Sequence, residues 1–367
     1  MLYTQLKKIY DADEKKRTIE HLIDLRSQLD KEIPEKTADN TLLLATWNIR
    51  QFTDNRRPES YIYIAEILSR FDLIAIQEVK EQRKGLEKVM SILGKNWNYI
   101  CTDVTEGGKG NGECIAFLYD TNKVSFKNMA GEIVLPDDSL IDNMQFARTP
   151  FCVSFQAGWF KFNIATVHIF YGDISKKEDL ERRRKEILTL GQFLSARAKK
   201  EDFNYIVLGD FNIPDVGDKY MSALEESGFT IPSRIKEHPT DLGETKHYDQ
   251  IAFNLHTNDA MQIFDETQPK KSGAFNFTKS VYKESDYEEY IEVMPDVKES
   301  VPNPDKPGKN MTVKRKRTGE EAKKYFKKHY RTSQMSDHLP LWVELKVDFS
   351  TQYIDNLRQE ILEKEKK

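Results

Sequence analysis

The chain is 367 residues long, 38% hydrophobic and 32% charged, with 20 Phe and 16 Tyr. That balance supplies a sizeable core and excludes a largely disordered chain. Its 56 Lys and Arg against 60 Asp and Glu leave a net charge of −4, so any attraction for a polyanion has to be local.

The opening MLYTQLKKIYDADEKKR is charged almost at once and lacks the apolar stretch of a signal peptide. No apolar run approaches the roughly 20 residues that span a bilayer. Cys101, Cys114 and Cys152 cannot all pair with one another, and their apolar neighbours suit reduced, buried thiols, so a cytoplasmic setting is expected.

In chain order, residues 13–32 read as an amphipathic helix. Asp13 caps it, Ile19, Leu22, Ile23, Leu25 and Leu29 share one face, and the Pro34 region ends it. Residues 1–39 are therefore expected to be a helical extension docked on a main domain. From residue 41 short strand-like runs recur: 42–45, 73–76, 115–119, 151–155, 162–167, 205–208, 250–253 and 341–345. Helical patterns lie between some of them, at about 60–69 and 175–199. The second opens on Ser175-x-x-Glu178, a capping-box pattern. Many strands with helices interspersed imply a layered α/β domain over 40–349.

Residues 265–335 interrupt this texture and read as an insertion or elaborated loop rather than a separate domain. Seven acidic residues face a single Lys298 between 285 and 305, and nine Lys or Arg face two Glu between 311 and 331. The basic run is by default a solvated helix face; beside an active site it would instead be a phosphate-facing arm. Residues 350–367 read as a charged C-terminal helix.

Several apolar runs end in polar residues that do not belong in a core: Asn48, Glu78, His168, Asp210 with Asn212, Asp249, and Asp337 with His338. Each alone has an ordinary explanation as a turn-former, a surface carboxylate or a satisfied histidine. Together they are harder to dismiss, because strand ends meet at one rim of a sheet. Two carboxylates at ~4 Å repel by about 4 kcal/mol at an effective dielectric near 20. A bound cation would offset that cost, and a donor set of Glu78, Asp210, Asp337 and the Asn48 and Asn212 amide oxygens favours Mg2+, with Mn2+ or Ca2+ also compatible. Mg2+ keeps positions open for phosphate oxygens, which points to phosphoryl chemistry.

The stretches TWNIRQF (46–52), IAIQEVK (74–80), GECIAFLY (112–119), FARTPF (146–151), ATVHIFYGD (165–173), YIVLGDFNIP (205–214), HYDQIAF (247–253) and SDHLPLWVEL (336–345) resemble, in this order, the endonuclease/exonuclease/phosphatase superfamily, and within it the deoxyribonuclease I branch. The resemblance implies a four-layer α/β sandwich: two mixed, mainly antiparallel sheets face to face with helices outside.

It also implies roles. Glu78, Asn48 and Asp337 would hold the metal. His168 and His338 would flank the scissile phosphate, backed by Glu113 and Asp249 respectively. Asp210 would orient or deprotonate the attacking water, Asn212 would hold a phosphate oxygen, and Arg148 would offer its planar fork to phosphate or to the supporting hydrogen-bond network. Lys80 stands where that branch tends to carry an arginine that touches nucleic acid, and a point charge there replaces a planar fork.

The implied activity is Mg2+-dependent hydrolysis of phosphodiesters, with DNA as the substrate and endonucleolytic cleavage as the leading reading. A phosphatase or phosphodiesterase acting on inositol phosphates, phospholipid headgroups or nucleotides uses the same core, because a fold does not choose a substrate. A non-catalytic binding module is the alternative of another class; the intact set of Glu78, Asp210 and His338 argues against it.

Overall fold

In a computed structural model, which describes residues 1–104, 112–173, 175–217, 219–255, 271–306 and 308–365, the strand-like runs assemble into two sheets. The first half of the chain gives α1 (Ala12–Glu32), β1 (Thr41–Phe52), α2 (Pro58–Leu68), β2 (Leu73–Lys80), α3 (Lys84–Leu93), β3 (Trp97–Cys101), β4 (Glu113–Asp120), β5 (Val124–Glu132), β6 (Phe151–Ala157) and β7 (Phe160–His168). It is followed by α4 (Lys177–Glu201), β8 (Asn204–Asp210), α5 (Lys219–Glu226), α6 (Ser233–Lys236), β9 (Asp249–Asn254) and β10 (Ser272–Ala274). The chain then forms β11 (Val297–Pro302), β12 (Asn310–Arg315), α7 (Gly319–Tyr325), α8 (Arg331–Gln334), β13 (Leu341–Lys346) and α9 (Ser350–Glu365).

One sheet runs β10-β13-β1-β2-β4-β3 and the other β5-β6-β7-β8-β9. Within each sheet one pair is parallel, β1 with β2 and β7 with β8, and the remaining pairs are antiparallel. Alternation along the strands shows how they stack. Leu42, Leu44, Leu73, Ala75 and Phe117 enter the core shared with Val153, Phe155, Phe162 and Ile164 of the second sheet. Leu43, Ala45, Trp47, Ile74 and Ile76 face the other way, onto α1, α2 and α3. Ile187, Leu190 and Leu194 of α4 cover the second sheet, so the order is helices, sheet, sheet, helices. This is the expected four-layer α/β sandwich.

Several local expectations change. Asp11 caps α1, accepting from the Glu14 amide, and Asp13 lies inside the first turn. The buried stripe is Thr18, His21, Leu22, Leu25 and Leu29, while Ile19 and Ile23 sit about 100° off it and stay exposed. Ser175 does not cap α4; it bonds Asp173, and the helix opens on Lys176 without a side-chain cap.

Residues 265–270, where the insertion was expected to start, lie outside the described residues. The part that is described is not a loop: Tyr282, Tyr290, Phe326 and Tyr330 form a stacked aromatic cluster in the core beneath α2. Lys314 and Arg315, expected on a helix, lie in the β11–β12 hairpin.

Candidate active site

The antiparallel and parallel pairings bring one set of strand ends to a single rim. Asn48 and Glu78 lie toward the ends of β1 and β2, and His168 and Asp210 end β7 and β8. Glu113 and Asp249 begin β4 and β9, which run the opposite way, and residues 336–340 lead into β13. His168 is in register with Asp210, and Asp210 with Asp249.

Local backbone features aim these side chains. The β1–β2 and β2–β4 ladders both slip around Glu78, a bulge that turns the strand, and Glu78 itself takes a φ of 60°. Asn212 also lies in the left-handed region, at φ 55°. Gly209 is required for a different reason: a Cβ there would lie 2.2 Å from the Val167 carbonyl oxygen, so only glycine lets β8 approach β7 beside Asp210.

Asp210 is the hub. Its Oδ2 accepts from Asn48 Nδ2 at 2.9 Å and lies 3.6 Å from His168 Nε2 and 3.8 Å from His338 Nε2. Its Oδ1 accepts from the Asn212 amide at 2.9 Å. Asn48 Nδ2 also donates to Glu78 Oε1 at 3.0 Å, and Glu78 Oε2 accepts from the Gln51 amide at 2.8 Å.

Each histidine has its own carboxylate behind it. His338 Nδ1 lies 2.8 Å from Asp249 Oδ2, and His168 Nδ1 lies 3.3 Å from Glu113 Oε2. Both rings therefore turn Nε2 toward Asp210, held in that orientation by the carboxylates behind them.

The electrostatics follow from these contacts. Burial opposes charge on His338, but Asp249 and Asp210 outweigh it and push its pKa up to about 10. Burial pushes the Asp249 carboxyl up, and the hydrogen-bonded His338 offsets only part of that rise. Burial likewise opposes ionisation of Glu113, but His168, Arg148 and Lys80 more than offset it and hold the carboxyl down at about 2.

The remaining expected residues fall as follows. Arg148 Nε and Lys80 Nζ pair with Glu113 at 3.1 and 3.2 Å, so both cations brace the carboxylate behind His168. Asn212 Nδ2 donates to the Ile169 carbonyl at 2.8 Å. Asp337 is 43% exposed and pairs with Arg50 at 3.1 Å; it does not take part in the Asn48–Glu78–Asp210 hydrogen bonds.

The residues that tie the site together include several that were read only as neighbours of a motif. The Ser336 hydroxyl, fully buried, donates to the Asn48 carbonyl and accepts from the amides of Arg50 and His338. Trp47 Nε1 donates to the His338 carbonyl at 2.9 Å. Gln77 Nε2 reaches Thr46 on its own sheet and Thr166 on the other, a polar staple through the core beneath the rim. Tyr248 packs on the His338 ring at 5.4 Å. A polar residue such as Gln77 inside an otherwise apolar strand was the available signal.

The site fits a hard divalent cation. Asn48 Oδ1 is buried with no hydrogen-bond partner while its Nδ2 is fully engaged, an acceptor left unpaired among carboxylates. Asp210, Asp249 and His338 also place one potential ligand atom each within 4.8 Å of one another, although Asp249 and His338 already bond each other.

Comparison with known proteins gives the family. Residues 45–258, more than half of the chain, match the endonuclease/exonuclease/phosphatase family. A deoxyribonuclease of Thioalkalivibrio sp. (strain K90mix) is 31% identical over 189 residues, 49% of this chain and 49% of that protein. Deoxyribonuclease-1 of Rattus norvegicus is 33% identical over 92 residues, 23% of this chain and 32% of that one. The chain thus spans about half the length, or less, of these curated relatives. A solved family protein from Bacteroides thetaiotaomicron is 16% identical, with a TM-score of 0.48 over 84% of this chain and 98% of its own. Among the described residues no helix is long and apolar enough to cross a membrane. By the family match over residues 45–258, the chain belongs to the endonuclease/exonuclease/phosphatase family.

Proposed function

We propose that the chain is a Mg2+-dependent phosphodiesterase acting on DNA as an endonuclease, with residues 40–349 as its catalytic domain and the described insertion as part of it. The observation that carries this reading is the convergence of two carboxylate-backed histidines on Asp210 Oδ2. The likeness to two proteins named deoxyribonuclease supports the choice of DNA. The free thiols, two of them buried, fit a reducing compartment such as the cytoplasm.

Glu78, Asn48 and Asp337 would hold the cation, which when bound supplies positive charge against the phosphate's non-bridging oxygens. The rest of the chemistry belongs to the side chains. Asp210 orients the attacking water and accepts its proton. His338, protonated at neutral pH, donates from Nε2 toward the phosphoryl group, and Asp249 keeps that tautomer and charge in place. His168 binds the opposite side of the phosphate, fixed by Glu113. Asn212 has one amide hydrogen committed to Ile169 and offers the other to a phosphate oxygen. Arg148 and Lys80 act through Glu113. Water attacks phosphorus, the bond to the leaving oxygen breaks, and that oxygen takes its proton from the imidazolium side of the site.

A substrate panel tests this: supercoiled plasmid, single-stranded DNA, RNA, inositol phosphates and a simple phosphodiester, each with Mg2+ and with EDTA. Mg2+-dependent nicking of the plasmid is the expected result. Intact plasmid beside hydrolysis of a small phosphoester would assign the same chemistry to another substrate.

A further inference from the structure

The insertion builds one wall of a second cleft. Its stacked Tyr282–Tyr290–Phe326–Tyr330 cluster fixes it against α2, and between it and residues 50–57 opens a cleft of about 590 Å3. Arg50, Arg57, Val293, Tyr325, His329 and Ser333 are among the lining residues, and none of the lining residues is acidic.

The cleft opens beside the candidate active site. Arg50 is ion-paired to Asp337 and donates to Thr332 of the insertion, and the neighbouring Gln51 amide holds Glu78. One side of the cleft is aromatic. Tyr325 and His329 lie one turn apart with ring centroids 5.3 Å from each other, and the Arg317 guanidinium sits 3.6 Å over the Tyr325 ring.

The opposite side is cationic in an unusual way. Arg56 is only 7% exposed, and its guanidinium donates to four backbone carbonyls, those of Arg50, Gln51, Gln334 and Met335. No carboxylate pairs with it among the described residues. Carbonyl oxygens satisfy its hydrogens but do not neutralise its charge, Glu78 attracts it without forming an ion pair, and a buried cation without a paired counter-ion is costly. An anion in the cleft above would offset that cost.

A cationic side, a stacking side and lining residues that touch Asp337 and Glu78 together describe a nucleotide subsite. Stacking on aromatic rings recognises any base but needs the base to be unpaired. We propose that this cleft binds an unpaired nucleotide of the substrate strand next to the scissile phosphate, its base against Tyr325 and His329 and its phosphate over Arg56 and Arg50. The inference rests on the phosphodiesterase reading for its substrate, and it goes beyond it in assigning the insertion a preference for single-stranded or locally opened nucleic acid.

Binding of a short 5′-fluorescein oligothymidylate to the full chain, followed by fluorescence anisotropy in EDTA, tests this without turnover. Tyr325→Ala and His329→Ala should each weaken binding by roughly tenfold, the scale of one lost base–aromatic stack. Val293→Glu, at an exposed lining position, should weaken it by placing a carboxylate beside the strand. The loss should be smaller for a blunt duplex of equal length. Thermal midpoints close to the parent's identify variants that fold, and the two exposed positions, 293 and 329, carry the test if Tyr325→Ala does not.

Affinities within about twofold of the parent in all folded variants would overturn the proposal, since a single lost stack is worth more than that. So would a parent protein that binds no oligothymidylate, or that binds the duplex equally well. Plasmid nicking with Mg2+ by the same preparation separates the two readings. Nicking with unaffected variants removes the cleft alone, whereas loss of oligothymidylate binding in the variants without any nicking removes the endonuclease alone.

Discussion

The Asn48 amide reaches across the crevice to Asp210: Nδ2 lies 2.9 Å from a carboxylate carried by the other sheet and 3.0 Å from Glu78 Oε1 on its own. One neutral donor thus holds two carboxylates at a set separation and turns its unpaired Oδ1 into the same space. Asn48→Leu should remove both functions. Turnover is expected to fall by about 10²–10³, the cost of losing one preorganised donor in a hydrolytic site. Steady-state kinetics on the preferred substrate check this; a kcat within about tenfold of the parent would remove Asn48 from the centre.

Glu113 sets a pH dependence of stability. Its folded pKa of about 2 lies below the ordinary 4.5, so it binds its proton less readily in the folded state than in the unfolded one. The resulting stabilisation is fully present above about pH 4.5 and is lost as pH falls through about 2, a contribution on the order of 3 kcal/mol. Urea unfolding from pH 6 down to 2.5 should show a steeper decline for the parent than for Glu113→Gln. Parallel declines would show that the cluster of His168, Arg148 and Lys80 does not favour the ionised carboxylate.

Ser336 clamps the loop before β13 to β1 through three hydrogen bonds from one hydroxyl. Ser336→Ala leaves the Asn48 carbonyl and two amides short of a partner in a buried place, which should cost about 1–3 kcal/mol. It should also lower kcat by letting His338 drift, with a smaller change in KM. Thermal unfolding and kinetics together check this, and a variant of parental stability would show that water replaces the hydroxyl.

The basic run at 314–317 is largely spoken for within the insertion. Arg315 pairs with Glu299 and Glu321, Lys316 with Asp296, and Arg317 with the Pro295 carbonyl and the Tyr325 ring. Neutralising Arg315 and Lys316 should therefore leave the salt dependence of DNA binding nearly unchanged. A slope reduced by about two would mean that both contact phosphate, because each phosphate contact contributes close to one to the slope.

How much of this was legible beforehand differs by element. The strands carrying the polar ends were legible because the apolar runs at Leu42–Ala45 and Tyr205–Leu208 are continuous and are followed within a few residues by one unsuited to a core. Their meeting at one rim required the pairing pattern, which only the resemblance supplied. Of the edge strands β9 was legible but β3, β5 and β10 were missed: β5 is mostly exposed, and its V-S-F-K alternation stops at a register shift between Phe126 and Ala130. The insertion looked like a charged loop because its charges are consecutive in sequence, whereas Tyr282, Tyr290, Phe326 and Tyr330, widely separated, make a core only once folded. Ser336 and Gln77 act through backbone and hydroxyl groups, which a motif does not show.

The central claim is that His168, His338 and Asp210 act as one unit on one phosphate. Double-variant kinetics test it most directly, comparing Asp210→Asn, His338→Ala and their combination on the same DNA substrate with Mg2+. Each single variant should lower kcat by roughly 10²–10⁴, and the double variant should fall no more than about tenfold below the worse single, because residues that act as a unit are not additive. Losses that multiply, or a single variant with near-parental kcat, would contradict the account.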